Sequence, residues 1–391
     1  MSIGDLVAAT AAQIEEEGVV PEPVVESPMS GRARFAGRED PLVVLCSNNY
    51  LGLASDPDVV AATVAAVHEY GAGSAAARFI AGTTPVHLAL EAALAELVGT
   101  AAAVTFSSCS TANHAVLATL ADKQTLICSD ELNHASIIDG VRLARAGAKQ
   151  VYPHADLDAL RELLTSHPLR DQAIVVTDGV FSMEGDLAPL PDLVDLCRRH
   201  GAFLVVDDSH ATGVLGEHGR GTTEQLGVLG EVDAVTGTLG KALGGAAGGF
   251  VAGSADLARV LRRHARPYIF SNPVPPGVAA GSLRAIGRLR EDPSLLARLR
   301  TVTERLRAGL SELDLEVLAG ESAIIPCIVG EESRARHLGD ALLDEGVLVT
   351  PFAYPVVPRG TARLRVQASA ALSDDDVDRA LTAFRSVTRL S

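Results

Sequence analysis

Six stretches of the chain are apolar through most of their length and rich in β-branched residues: "AAVTFSS" (102–108), "TLICSD" (125–130), "AIVVTDGVFS" (173–182), "FLVVDDSHA" (203–211), "AVTGT" (234–238) and "GGFVAG" (248–253). Several are apolar without alternation, which predicts strands covered by helices on both faces. Helical windows lie between them. In "PVHLALEAALAELVG", Thr84 can cap and Pro85 can occupy the first turn; "PDLVDLCRRHG" has Pro191 near its start and Gly201 just past its end. Such alternation predicts an α/β domain with a mostly parallel sheet. Prolines 267, 273, 275 and 276 interrupt the pattern, an arginine-studded helical stretch runs over roughly 278–313, and "AIIPCIVG", "GVLVTPFAYPVV" and "ARLRVQAS" read as further strands. The expected organisation is an N-terminal segment (1–45), a large domain (46–280) and a smaller C-terminal α+β domain (281–391).

Composition narrows the classes. Of 391 residues, 47% are apolar and only 4% aromatic, so small aliphatic side chains must fill a sizeable core. A net charge of -16 argues against a nucleic-acid binder and against adhesion to anionic lipid. The five cysteines (46, 109, 128, 197, 327) are scattered without a CxxC pair, as in reduced thiols rather than a disulfide framework or a zinc site. The N-terminus reads as a short acidic helix and not a signal peptide, and no apolar run approaches the length of a membrane span. A soluble cytoplasmic protein is expected.

The basic residues are unevenly chosen. Three are lysines (Lys123, Lys149, Lys241), so thirty of the 33 are arginines. Guanidinium cannot serve as a nucleophilic amine near neutral pH, and Lys241 stands in the glycine-lined "TGTLGKALGG". Other polar clusters fall where predicted strands end: Asp207, Asp208, Ser209 and His210; Asp178, Ser182 and Glu184; Asn133 and His134; and Ser108, Cys109, Ser110 and Thr111 at the start of a helix. In open α/β sheets ligands bind beyond the strands' carboxyl ends, and a helix N-terminus suits a phosphate. Each cluster alone has an ordinary explanation as a cap, a structural histidine or a surface lysine; their coincidence in one domain points to a site. A nucleotide P-loop fails, with Val235 and Ala242 where glycine and Ser/Thr are needed. No GxGxxG opens a helix after an early strand, and no histidine pair at helical spacing supports a metal. A pyridoxal phosphate (PLP) enzyme fits all the parts: it needs a primary amine for the aldehyde (Lys241), a buried carboxylate for the pyridine nitrogen (Asp207), a group near the ring hydroxyl (His210) and a ring over the cofactor face (His134).

From "LCSNNYLGLASDP" to "ARLRVQASAA" the sequence resembles the α-oxoamine synthases, fold-type I PLP-dependent transferases of aspartate aminotransferase-like architecture. The segments that carry the likeness are "SNNYLGL", "SDELNHASIIDGVRL", "TDGVFSMEGDLAPL", "VVDDSHATGVLGEHGRG", "TGTLGKALGG", "RPYIFSN" and "YPVVPRGTARLRVQAS". Within the family, "ARPYIFSN" and "YPVVPRG" look closest to the glycine C-acetyltransferase (2-amino-3-ketobutyrate coenzyme A ligase) branch; "SMEGDLAPL" is similar to the 8-amino-7-oxononanoate synthase branch.

The resemblance implies that Lys241 holds the cofactor and later moves the substrate α-proton, and that Asp207 pairs with the pyridine nitrogen. It gives His210 and Ser182 to the ring hydroxyl, His134 to the ring face, and Cys109, Ser110 and Thr238 to the phosphate. Ser271 and Asn272 would reach the phosphate of a neighbouring subunit, in a homodimer with shared sites. Arg365 would clamp the substrate carboxylate beside Asn48, with Arg78 and Arg363 as secondary candidates. The implied reaction condenses a small amino acid, glycine first, with an acyl thioester, acetyl-CoA first. "GAGSAAARFIAGT" and "SCSTANH" depart from the glycine-specific pattern, so a longer acyl group on coenzyme A or on a carrier protein stays open. Arg32, Arg34 and Arg38 are the basic residues available for coenzyme A phosphates. An aldolase or lyase, and a non-catalytic partner subunit, are the other classes left open.

Overall fold

The structure, a computed structural model, describes residues 1–16 and 22–389. Its strands are numbered along the chain. β1 (Arg32–Ala33) and β2 (Leu42–Val44) precede a run of seven: β3 (Ala102–Phe106), β4 (Leu126–Asp130), β5 (Ala148–Tyr152), β6 (Ala173–Asp178), β7 (Phe203–Asp207), β8 (Ala234–Thr238) and β9 (Gly249–Gly253). These seven form one sheet in the order β3-β9-β8-β7-β6-β4-β5. Only β9 runs against the others; it is antiparallel to both β3 and β8, and the remaining pairs are parallel.

Unbroken apolar runs are what a sheet between two cores requires. Along β4 and β6, Ile127, Ile174 and Val176 enter a cluster with Ala112, Val116 and Leu261. Leu126, Cys128 and Val175 enter the opposite cluster with Leu160, Leu193 and Leu196. Neighbouring residues thus serve opposite layers, and each fully buried Val, Leu or Ile contributes roughly 1.5–3 kcal/mol. β5 differs: its burial alternates, with Lys149 and Val151 exposed at the sheet edge. That half-polar pattern hides it from a search for buried runs.

The arginine-studded stretch is two helices, Pro276–Glu291 and Ser294–Ser311, because Pro293 cannot continue the first. The first lies against the helix Pro57–Tyr70 so closely that a Cβ on Gly281 would meet Thr63 Oγ1 at 2.5 Å. The expected N-terminal helix is present as Ile3–Glu16, exposed from Ile3 to Glu15, while residues 17–20 of that stretch lie outside the described residues.

A second layer of strands follows: β10 (Glu316–Val317), β11 (Ile324–Gly330), β12 (Val347–Leu348), β13 (Thr350–Phe352) and β14 (Ala362–Gln367). Four of them make an antiparallel sheet, β10-β11-β14-β13. β12 instead pairs in parallel with β2, which also carries β1. The N-terminal segment is therefore woven into the C-terminal unit. Leu45 carbonyl accepts from Gln367 N–H at 2.7 Å, and Tyr50 carbonyl accepts from Ala370 N–H at 2.8 Å. This weave sets Asn48 and Tyr50 beside β14.

One clamp shapes the turn after β6. His154, just past β5, lies with Nδ1 3.0 Å from Asp130 and Nε2 2.9 Å from Asp186, edge-on to the Phe181 ring. Hydrogen bonds to Asp130, then to Asp186, lift its pKa to about 10. A raised folded-state pKa stabilises the fold fully below the unfolded value of 6.5, and the gain is lost as pH climbs towards 10. His154→Ala is expected to cost about 1–3 kcal/mol at neutral pH, as hydrogen bonds to charged groups do. Urea unfolding across pH should show the gap between variant and parent shrinking from pH 6.5 to 10; a constant gap would contradict the assignment.

Candidate active site

Because β3, β4, β6, β7 and β8 point the same way, their carboxyl ends share one side of the sheet. The residues that follow them line a cavity of about 240 Å³. β3 delivers Ser108, Cys109 and Ser110; β4 delivers His134 and Ser136; β6 delivers Asp178 and Ser182. β7 brings Asp207, Ser209 and His210, and β8 brings Thr238 and Lys241. Residues from five separate strand exits meet in one space.

Lys241 occupies a turn braced by Thr238, whose hydroxyl accepts the Gly240 N–H at 3.0 Å. Burial pulls its amine down from 10.5 to about 8, against the opposing pull of Asp207, Cys109 and Asp178. Two of those neighbours are themselves pushed towards their protonated forms. Burial, then Asp207, raises the Asp178 carboxyl well above its usual range, and does the same to the Cys109 thiol.

Asp207, 4% exposed, is held at both oxygens. Asn113 Nδ2 donates to Oδ2 at 2.6 Å, and Ser209 N–H donates to Oδ1 at 3.0 Å. The Cys109 thiol lies 3.6 Å from Oδ2 and receives the Ser209 hydroxyl at 3.2 Å. It is therefore turned towards the carboxylate, which leaves only the backbone of Cys109 at the helix mouth. Asp208 faces away, accepting from the Thr222 N–H and hydroxyl.

The two histidines are fixed by hydroxyl donors. Tyr50 spends its oxygen lone pair on Gln367 Nε2 at 3.0 Å, so its proton goes to His210 Nδ1 at 2.7 Å. Burial, reinforced by Lys241, Arg365 and His134, holds His210 well below the usual imidazole range. It is neutral, with its proton on Nε2. His134 accepts from the Ser136 N–H at Nδ1, 3.1 Å away, and burial lowers its pKa as well. Its backbone N–H donates to Asp178 at 2.7 Å.

An anion site opens at the helix Cys109–Leu120. Ser108 caps it by accepting the Thr111 N–H at 3.0 Å, and the first N–H groups have no partner within the helix. β9 presses directly on this end: a Cβ on Gly249 would stand 2.3 Å from the Cys109 nitrogen, so only glycine fits. Arg365 approaches from β14. Its NH1 donates to the Ser182 carbonyl at 3.0 Å and its NH2 to Gln367 at 3.4 Å, while its buried Nε has no partner. Asn48 accepts from Gln367 Nε2 at 2.7 Å, so it belongs to the same network.

Other expected residues lie apart. Arg78 forms a buried two-pronged pair with Glu91 at 2.9 and 3.2 Å and bonds Thr105, leaving it a bracing role. Arg363 binds Glu184 and the Met183 carbonyl. Ser271 and Asn272 do not line the cavity of their own chain. Arg32 pairs with Asp376, and Arg38 lies 3.5 Å from Asp344. The sequence reading did not single out Asn113, Tyr50, Ser136 or Gln367. Asn113 stands four residues after Cys109, so helical spacing places the two on one face.

This donor set fits pyridoxal phosphate: an amine of lowered pKa for the aldehyde, a helix N-terminus for the phosphate, an anchored carboxylate for the ring nitrogen and two neutral imidazoles. No group of acidic, histidine or cysteine side chains among the described residues could hold a metal, and no described helix is long and apolar enough to cross a membrane.

Known proteins agree. The sequence profile "Aminotransferase class I and II" matches residues 40–384. The chain is 44% identical to the 8-amino-7-oxononanoate synthase of Symbiobacterium thermophilum, over 100% of this chain and 99% of the relative. It is 42% identical to the mitochondrial 2-amino-3-ketobutyrate coenzyme A ligase of Homo sapiens, over 94% and 88%. A structure of the serine palmitoyltransferase SPT with bound PLP superposes with a TM-score of 0.93 at 32% identity, over 99% of this chain and 97% of that one. With its fold, its cavity lysine and relatives of this kind along its whole length, the chain belongs to the α-oxoamine synthases, PLP-dependent acyltransferases of the aminotransferase class I and II family.

Proposed function

We propose that this enzyme condenses glycine with acetyl-CoA to give a 2-amino-3-oxo acid, at the cavity beyond the strand ends. The observation that carries an amine-based reaction is Lys241: a primary amine in the cavity whose pKa of about 8 gives it a far larger neutral fraction near neutral pH than an ordinary lysine has. Bound PLP supplies an aldehyde for amines and a ring that draws electron density from the substrate α-carbon.

The chain's own groups do the rest. Lys241 Nζ would hold the cofactor through its aldehyde, and the same amine is placed to take the proton from the substrate α-carbon. Asp207 would accept from the ring nitrogen and keep it protonated. The Nε2–H of His210 would serve the ring hydroxyl, with Ser182 beside it, and His134 would cover the ring face. The Cys109 and Ser110 N–H groups and the Thr238 hydroxyl would serve the phosphate. The unpartnered Nε of Arg365 is available to the substrate carboxylate beside Asn48. A carbon–carbon bond then forms between the α-carbon and the thioester carbonyl, the carbon–sulfur bond breaks, and the thiol leaves with a proton.

"ARPYIFSN", "YPVVPRG" and the 42% identical ligase support glycine and acetyl-CoA. "SMEGDLAPL" and the 44% identical synthase support a second reading, a longer acyl thioester and loss of the substrate carboxyl group. Exposed Phe79, Ile80 and Phe270 support a homodimer in which Ser271 and Asn272 complete the neighbouring site. Five free cysteines support a cytoplasmic setting.

Lys241→Ala should abolish the visible absorbance of the reconstituted protein and any borohydride-trapped adduct. In the parent, the rate of PLP capture by apoprotein should rise with pH about a midpoint near 8, since only the neutral amine attacks; a midpoint near 10.5 would contradict the burial argument. Asp207→Asn should retain cofactor while turnover falls roughly 10²–10³-fold. Purified enzyme offered glycine, alanine or serine with a panel of acyl thioesters, and followed by thiol release and product mass, decides the substrate. Release with glycine and acetyl-CoA supports the proposal; release only with alanine and a long acyl group moves the chain to the second reading.

A further inference from the structure

We propose that Asn113 is a positioning residue that aims the Asp207 carboxylate at the cofactor site, holding it in one hydrogen-bonded unit with Ser136 and His134. It rests on the reading that Asp207 faces the ring nitrogen of the cofactor. Asn113 is 1% exposed, and all its hydrogen-bonding groups are engaged. One Nδ2 proton goes to Asp207 Oδ2 at 2.6 Å and the other to Ser136 Oγ at 2.9 Å, while Oδ1 accepts the Thr236 hydroxyl at 2.7 Å. These three partners fix the amide's orientation, because a flipped amide would set its oxygen against a carboxylate.

The bond to Ser136 passes the constraint on. Having accepted from Asn113, the Ser136 hydroxyl has its own proton to give, and His134 Nδ1 lies 2.8 Å away. The Ser136 N–H also points at that nitrogen. His134 Nδ1 is therefore an acceptor, and the ring carries its proton on Nε2. Without Asn113, Asp207 Oδ2 would keep only the weak thiol donor of Cys109 at 3.6 Å. The Ser136 hydroxyl would lose the donor that orients it. Asn113 itself does not line the cavity, so it acts through the two residues that do.

The test uses apoprotein and two probes: PLP and its deaza analogue, in which carbon replaces the ring nitrogen. Asn113→Ala, the volume-keeping Asn113→Leu and Asn113→Ser are made in parallel, with thermal unfolding as the check of fold. Any folded variant lacking the amide should bind PLP about tenfold or more weakly, the size expected for a lost hydrogen bond to a charged group. Affinity for the deaza analogue should barely change. Asn113→Ser should recover part of the loss. In nitrogen-15 spectra of the apoprotein imidazoles, the His134 tautomer should stay Nε2–H in parent and variants alike, because the Ser136 N–H holds Nδ1 as an acceptor with or without Asn113. Equal weakening of both probes or no weakening would overturn the proposal, as would failure of all three variants to fold. Asp207→Asn is measured alongside. If it discriminates between the probes and the Asn113 variants do not, the inference falls and the reading of Asp207 stands; if it does not discriminate, that reading falls and takes the inference with it.

Discussion

An amine can attack an aldehyde only when it gives up its proton, and the loss is easiest where water cannot solvate the charge. Lys241 meets that condition by burial, which outweighs the attraction of the acidic groups around it. The balance depends on those neighbours being mostly uncharged. Asp178 and Cys109 are driven towards their protonated forms by the same burial. Had they remained charged, Coulomb attraction would hold the proton on Lys241. A low-dielectric pocket of acids therefore tunes a base, and the sheet's parallel strands exist in this region to bring those groups to one end.

Around the amine, geometry is settled before any ligand enters. Both imidazoles accept a hydroxyl proton at Nδ1, from Tyr50 and Ser136, and both keep an N–H on Nε2. Hydroxyl donors suit this purpose better than carboxylates would, because a carboxylate beside Nδ1 would favour the imidazolium. The result is two neutral donors whose orientation costs nothing to establish at the moment of reaction. Arg365 is drawn into the same fabric through Gln367, which bonds Asn48, Tyr50 and the guanidinium together.

Much of this was readable in the chain. Unbroken apolar runs marked six of the seven strands of the large sheet, and the scarcity of lysine singled out Lys241. What stayed hidden depended on partners distant in sequence. β5 is half polar because it lies at an edge. Asn113 was visible only as part of a helix opening, since its partners Asp207 and Thr236 stand 94 and 123 residues away. Gln367 and Tyr50 meet across 317 residues, and no local pattern encodes that bond. The Cys109 thiol lay in a quoted motif, but motif position does not reveal which way a side chain turns. Pro293, which divides the arginine-studded stretch into two helices, was passed over because arginines run on either side of it.

The parallel pairing of β2 with β12 joins the start of the chain to residues some three hundred positions later. On a ribosome adding about 5–20 residues per second, the early segment waits on the order of 15–60 s for its mate. During that interval Leu42 and Val44 can pack on Ala33 and Phe35 and β2 can pair with β1, but the other edge of β2 has no partner. The nascent polypeptide thus carries one open strand edge until translation is nearly over.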